Sequence, residues 1–171
     1  MQGYNAQAVA NEHQIVLAAE VTNNTADFGQ LAPMVEATLA ELNNAGADER
    51  PQVAVADAGF WNEQHIDNVV AELHVQVLIP PDAGNRKTPR PGWSGGRFDW
   101  MRTVLATDRG RELYRQRKKT IEPIFGHTKH NRRIRRFHRR GRSAVHTEWR
   151  LLMATHNLIK LHSAQLTAKA A

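Results

Sequence analysis

Two carboxylates and a run of arginines are the residues of this 171-residue chain whose types and spacing point to chemistry. Asp57 ends QVAVAD (52–57), which reads as a short strand that is apolar until its last residue. Functional groups gather at the carboxyl ends of strands in open parallel sheets, so a carboxylate there can face a shared site. It can equally cap the AGFW turn that follows. Glu122 is the one acidic residue between Glu112 and Glu148, set among lysines and arginines whose charge favours the ionised form that a hard metal requires. It is expected in the first turn of its helix, where the helix dipole favours an anion, and an ordinary surface ion pair is the alternative. Lys129 follows seven residues later, two turns along the same face and roughly 10 Å away, within reach of a phosphate beside whatever Glu122 binds. NRRIRRFHRRGR (131–142) then places seven arginines in twelve positions. Arginine pairs bidentately with phosphate, and Phe137 and His138 within the run add a stacking or neutral contact. His127 and His130, three apart, lack the cysteine or carboxylate partners that would complete a zinc site.

The net charge of +6 conceals a division. Residues 1–85 carry twelve acidic side chains against the single Arg50, a net −11, whereas residues 86–171 carry 22 lysines and arginines against five acids, a net +17. Such asymmetry suggests a polyanionic partner for the second half. The absence of cysteine excludes a disulfide framework, a thiolate zinc site and a cysteine nucleophile. No apolar run approaches the roughly 18 residues of a membrane span, and no signal pattern opens the chain. The default expectation is a cytoplasmic chain with no membrane partner.

These residues need elements to hold them. GYNAQAVA and IVLAAEVT read as two strands joined through Asn11–Gln14, and Asp27 with Gln30 reads as a capping box before a helix carrying Leu31, Val35, Leu39 and Leu42, stopped near Gly46. The strand 52–57, a helix with Ile66, Val69, Val70 and Leu73, and a strand VQVLIP (75–80) form a βαβ unit with parallel neighbouring strands. Residues 80–107, rich in proline and glycine, read as an exposed loop or insertion, and Gly95–Gly96 lacks the spacing of a phosphate-binding loop. Residues 108–162 read as helical and basic. A first piece covers about 108–118, Thr120 caps a second with Pro123 in its first turn, and a last helix starts near Ser143 with Val145, Trp149, Leu152, His156 and Ile159 on one stripe. His156 and Trp149 are expected in the core. Asn157 has no evident role.

Three segments in order, GYNAQAV (3–9), VADAGFW (55–61) and YRQRKKTIEPIFGHTK (114–129), followed by the arginine run and EWRLLMATHNLIKL (148–161), resemble the C-terminal part of bacterial insertion-sequence transposases with a DDE catalytic domain. The likeness covers nearly the whole chain, and the ordered combination is more specific than any one segment. It implies an α/β domain of the ribonuclease H-like type, a mixed sheet flanked by helices, spanning residues 1–171. Asp57 matches the second acid of the triad and Glu122 the third. Tyr114, Arg117, Glu122 and Lys129 resemble the family's Tyr–Arg–Glu–Lys signature, although Arg117 leaves four residues before Glu122 where three are usual, and Lys118 has the usual spacing.

The first catalytic Asp of such domains lies on a strand before the one beginning near Gly3, so the chain is expected to be a partial domain lacking that strand. The implied chemistry is Mg²⁺-dependent phosphodiester hydrolysis followed by strand transfer, with two ions about 3.5–4 Å apart (Mn²⁺ substituting), and Asp57 and Glu122 as metal ligands. With only two carboxylates, weak metal binding and little cleavage by the chain alone are expected. The implied partner is double-stranded DNA, as transposon ends and target, contacted by Tyr114, Arg117, Lys118, Lys129, Arg132, Arg133, Arg135, Arg136, Arg139 and Arg140. A full-length transposase or a second copy is a further possible partner. The rival readings are a DNA- or transposase-binding inhibitory module and a nonfunctional remnant.

Overall fold

In NAQA and AEVT small and β-branched residues alternate with polar ones, and the segments that hold them fold as an antiparallel ribbon of β1 (Asn5–Ala10) and β2 (Val16–Thr22). Asn11 shapes the turn: its Oδ1 accepts from the backbone N–H groups of His13 (3.1 Å) and Ile15 (3.0 Å), an Asx arrangement. A computed structural model describes residues 3–83, 86 and 88–170 of the chain, which divide into two units. Unit 1 comprises Met1–Thr25 with Lys119–Ala171, and unit 2 comprises Ala26–Lys118. Among the described residues no helix is long and apolar enough to cross a membrane.

Unit 2 contains the expected βαβ arrangement. β3 (Val53–Val55) and β4 (Gln76–Leu78) pair in parallel around α2 (Glu63–Ala71), whose N-cap Asn62 accepts from His65 N at 3.1 Å. α2 is shorter than its apolar stripe: Ile66 and Val69 are buried, Val70 is exposed, and Leu73 lies beyond the helix. α1 (Leu31–Asn44) forms where expected and ends before Gly46, at φ +67°. Its start differs from the expected capping box. Asp27 opens a turn instead, with Gln30 N donating to the Asp27 carbonyl (3.0 Å) and Gly29 at φ +79° in the position a type II turn reserves for glycine. Gln30 stands at the N-cap without a side-chain bond.

The stretch 80–107 is not the plain loop expected. Residues 96–106 form α3 (Gly96–Ala106), and Met101 is among the most deeply buried side chains of unit 2. Phe98 and Met101 stand at helical spacing, and Phe98 stacks on Trp61 (5.2 Å between centroids) and packs on Trp93 (5.1 Å). Arg102 ties the preceding segment down, donating to Asp82 (2.8 Å), Asp99 (2.6 Å) and the Trp93 carbonyl (2.7 Å). Gly84, Asn85 and Lys87 of the expected loop lie outside the described residues.

The two basic pieces expected after residue 108 are one helix, α4 (Asp108–Gly126), and the boundary between the units falls within it. Thr107, not Thr120, caps it: its Oγ1 accepts from Gly110 N at 3.0 Å. Any side chain at Gly110 would collide with the Val104 carbonyl, so glycine permits the tight passage from α3. Pro123 lies inside α4 rather than at its start and has no N–H for the carbonyl of Lys119, four residues back. Gln14 replaces the missing donor, its Nε2 lying 2.9 Å from that carbonyl oxygen.

The core of unit 1 forms where α5 (Arg142–Ala170) packs on the β1–β2 ribbon, burying Val16, Ala19, Val21, Val145, Trp149 and Met153 with Ile124 of α4. Trp149 and His156 are core residues, as expected, and each is hydrogen-bonded to a backbone carbonyl. Trp149 Nε1 donates to Gln7 (2.8 Å), and His156 Nε2 lies 3.0 Å from the Gln14 oxygen, which requires the proton on Nε2. Asn157 acquires a role the sequence did not suggest. Its Oδ1 accepts from Val16 N and its Nδ2 donates to Val16 O, both at 2.8 Å, so its amide pairs with the first residue of β2 as a neighbouring strand would. Among the described residues the strands pair as two two-stranded sheets, β1–β2 in unit 1 and β3–β4 in unit 2. The α/β class holds.

Burial lowers the pKa of His156, and the nearby His127, Lys160 and Arg132 act in the same direction, while the bond to the Gln14 carbonyl opposes them. Between the folded value and the unfolded value of about 6.5, the unfolded chain binds more protons. Stability is therefore expected to fall as pH drops below about 6.5 and to level off once the folded value is passed. His156→Gln keeps an amide donor for the Gln14 carbonyl and cannot titrate. A denaturation midpoint that falls with acid equally in both proteins would contradict this.

Candidate active site and nucleic-acid interface

Asp57 follows β3 and stands at the N-cap of a 3₁₀ turn, Ala58–Phe60, with its Oδ1 accepting from Gly59 N at 3.0 Å. Both readings of this residue coexist. It is a turn cap, and it stands at the carboxyl end of a parallel strand with its side chain 46% exposed. Its Oδ2 faces Arg117 Nη1 at 3.7 Å, a loose ion pair at a distance where solvent screening leaves little energy. The Arg117 guanidinium lies 5.3 Å from the centre of the Tyr114 ring, and its Nε is buried without a hydrogen-bond partner. A Cβ placed on Gly59 would lie 3.1 Å from Asp57 Oδ1 and 3.4 Å from Asp27 Oδ2, so these two carboxylates flank the glycine. Unit 2 thus brings Asp57, Arg117 and Tyr114 together. Lys118 ends the unit as an exposed side chain.

Glu122 belongs to unit 1. It is exposed, and it is the fifteenth of the nineteen residues of α4, not in the first turn. The expected dipole stabilisation is therefore absent, because the positive end of the macrodipole lies at Asp108 and the nearer end is the negative one. The relation of Glu122 to Lys129 also differs from the expected helical register. After Gly126 the chain widens into a π turn, His127–Asn131, closed by Arg132 N on the His127 carbonyl at 3.0 Å. The wider turn moves Lys129 off the seven-residue face. Lys129 is exposed, with its Nζ 5.8 Å from the centre of the Phe125 ring.

The arginine run follows the π turn as a loop. Five of the arginines assigned to DNA, Arg133, Arg135, Arg136, Arg139 and Arg140, are exposed. Arg132 is half-buried and donates to the Leu152 carbonyl at 3.0 Å, and Arg142 donates to the Val21 carbonyl at 3.3 Å. Those two arginines hold the loop to its own unit. Phe137 points inward, edge-on to Trp149 (6.2 Å) and Tyr4 (6.4 Å), so it serves the core and not a base stack.

Asp57 belongs to unit 2 and Glu122 to unit 1, and Asp57 has one oxygen on a backbone amide and the other facing Arg117. Among the described residues no group of three His, Cys, Asp or Glu is placed to hold a metal. The His127 ring lies against His156 at 6.0 Å.

Residues 85–162 match the family model described as a transposase DDE domain, a stretch slightly shorter than half the chain. It encloses Tyr114, Arg117, Lys118, Glu122, Lys129 and the arginine loop, whereas Asp57 lies outside it. The mixed α/β architecture is consistent with such a domain. No curated protein and no solved structure matches the chain.

Proposed function

We propose that the chain serves DNA transposition as DDE-type catalytic-domain sequence of the ribonuclease H-like kind, engaging the phosphate backbone of duplex DNA through the arginine loop. The observation that carries the reading is the match to a transposase DDE domain over the stretch holding both Glu122 and that loop. Asp57 and Glu122 are the carboxylates it assigns to Mg²⁺ or Mn²⁺. The chemistry such ions supply is hydrolysis of a phosphodiester followed by attack of the freed 3′-hydroxyl on target DNA. Since the described residues gather no three-ligand set, cleavage by this chain alone is expected to be weak.

The test is nicking of supercoiled DNA in Mg²⁺ or Mn²⁺ alongside duplex binding. Binding is expected, and any nicking should fall by at least about ten- to a hundredfold in Asp57→Ala, the loss seen when even an outer metal contact is removed. Robust nicking that survives Asp57→Ala would sink the assignment, and so would a chain that fails to bind duplex at low salt. A second reading, a DNA- or transposase-binding inhibitory module, is favoured by the same missing ligand set. It predicts no nicking, and binding undiminished when Asp57 and Glu122 are both replaced by alanine.

A further inference from the structure

Glu148 is the last acidic residue of the chain, set in a segment otherwise rich in cations. It stands on α5 beneath the arginine loop, and its carboxylate is turned to the loop's backbone. Oε1 and Oε2 accept from His138 N at 2.9 and 3.1 Å, and Oε2 accepts from Arg139 N at 2.9 Å. Consecutive backbone N–H groups converging on an anion are a recurrent anion-binding geometry, here filled by the protein's own side chain. Burial disfavours the charge, yet the two amides, with His138 and Arg139 near them, hold the Glu148 pKa below its ordinary value. The neighbouring anchors fix the rest of the loop: Phe137 in the core, Gly141 N on Tyr4 Oη at 3.0 Å, and Arg132 on the Leu152 carbonyl. The exposed arginines Arg135, Arg136, Arg139 and Arg140 all lie within a few residues of the clamped amides.

We propose that Glu148 is a positioning residue for DNA binding, fixing the His138–Arg139 backbone so that the exposed guanidinium groups meet successive phosphates. The proposal rests on the reading of this loop as a phosphate-contacting surface. Electrostatics alone gives the opposite expectation, because a carboxylate near a phosphate surface repels it and its removal tightens binding.

The sign of the effect therefore decides. The full chain, Glu148→Gln and Glu148→Ala are titrated with a blunt DNA duplex over a range of salt, and amide hydrogen exchange is followed without DNA. Glu148→Ala is expected to bind about tenfold more weakly despite its extra net positive charge, in keeping with the loss of hydrogen bonds to a charged group. Its salt slope should be shallower, and the His138 and Arg139 amides should exchange faster. Glu148→Gln, which keeps an acceptor, is expected to recover part of the loss. It also serves as the informative variant if Glu148→Ala does not fold, judged by circular dichroism. Tighter or unchanged binding in a folded variant overturns the proposal, as does weaker binding with unchanged exchange at His138 and Arg139. A wild-type chain that binds no duplex overturns the DNA reading itself, whatever the exchange rates show.

Discussion

Trp149→Ala is expected to remove about 3–5 kcal/mol from the stability of unit 1, the usual cost of deleting a large buried aromatic side chain. Domains of this size have only about 5–15 kcal/mol to lose, so unit 1 would be left near the edge of folding. Three effects add. The indole lies against Phe125 (5.6 Å, stacked) and Phe137 (6.2 Å, edge-on), so its removal leaves a cavity between β1–β2, α4 and the arginine loop. The Gln7 carbonyl loses its donor inside the core. Phe137, which anchors the loop, loses one of its two ring partners. Trp149→Phe separates the terms, since it keeps most of the volume and loses only the N–H, for which about 1–3 kcal/mol is expected. Chemical denaturation followed by circular dichroism gives both numbers. A loss below about 1 kcal/mol for Trp149→Ala would mean that the site collapses around the missing ring and that Trp149 is not the keystone its contacts indicate.

Where local chemistry decides, the sequence was a sound guide. The hairpin, the βαβ unit and α1 follow from alternation, apolar runs and helical spacing, and the core roles of Trp149 and His156 from their place on one stripe of α5. The failures trace to contacts made over long sequence distances. Pro123 reads as a helix start because proline lacks an N–H, and nothing near it reveals that Gln14, more than a hundred residues earlier, supplies the Lys119 carbonyl with another donor. Moving the helix start from Thr120 to Thr107 reverses the electrostatic reading of Glu122, which passes from the favourable end of a helix dipole to the unfavourable one. α3 was hidden by the prolines and glycines before it, although Phe98, Met101 and Leu105 carried a legible helical period. Asn157 offered no local signal, because its partner is the backbone of Val16. At the candidate site, Asp57 was legible by residue type and position. Its capping of the turn after β3 was legible too, but its facing of Arg117 was not, since that depends on a contact sixty residues away in sequence.

Raising salt from 50 to 200 mM is expected to weaken duplex binding by about a thousandfold, a slope of log K against log salt near −5. The number comes from the exposed cations. Arg133, Arg135, Arg136, Arg139 and Arg140 are on the surface, and Lys129 joins them from the π turn, giving about six phosphate contacts at roughly 0.9 released ions each. Arg132 and Arg142 are left out because each is spent on a backbone carbonyl of its own unit. Phosphate contacts carry no base information, so the slope should be the same for unrelated duplexes of equal length. Replacing Arg139 by alanine should flatten it by about one unit on every duplex, whereas Arg132→Ala should lower protein stability and move the slope less. Fluorescence anisotropy across a salt series measures all of these. A wild-type slope near zero would mean that the arginine loop is only a solvated face, and that the charge excess of the second half has some purpose other than holding DNA.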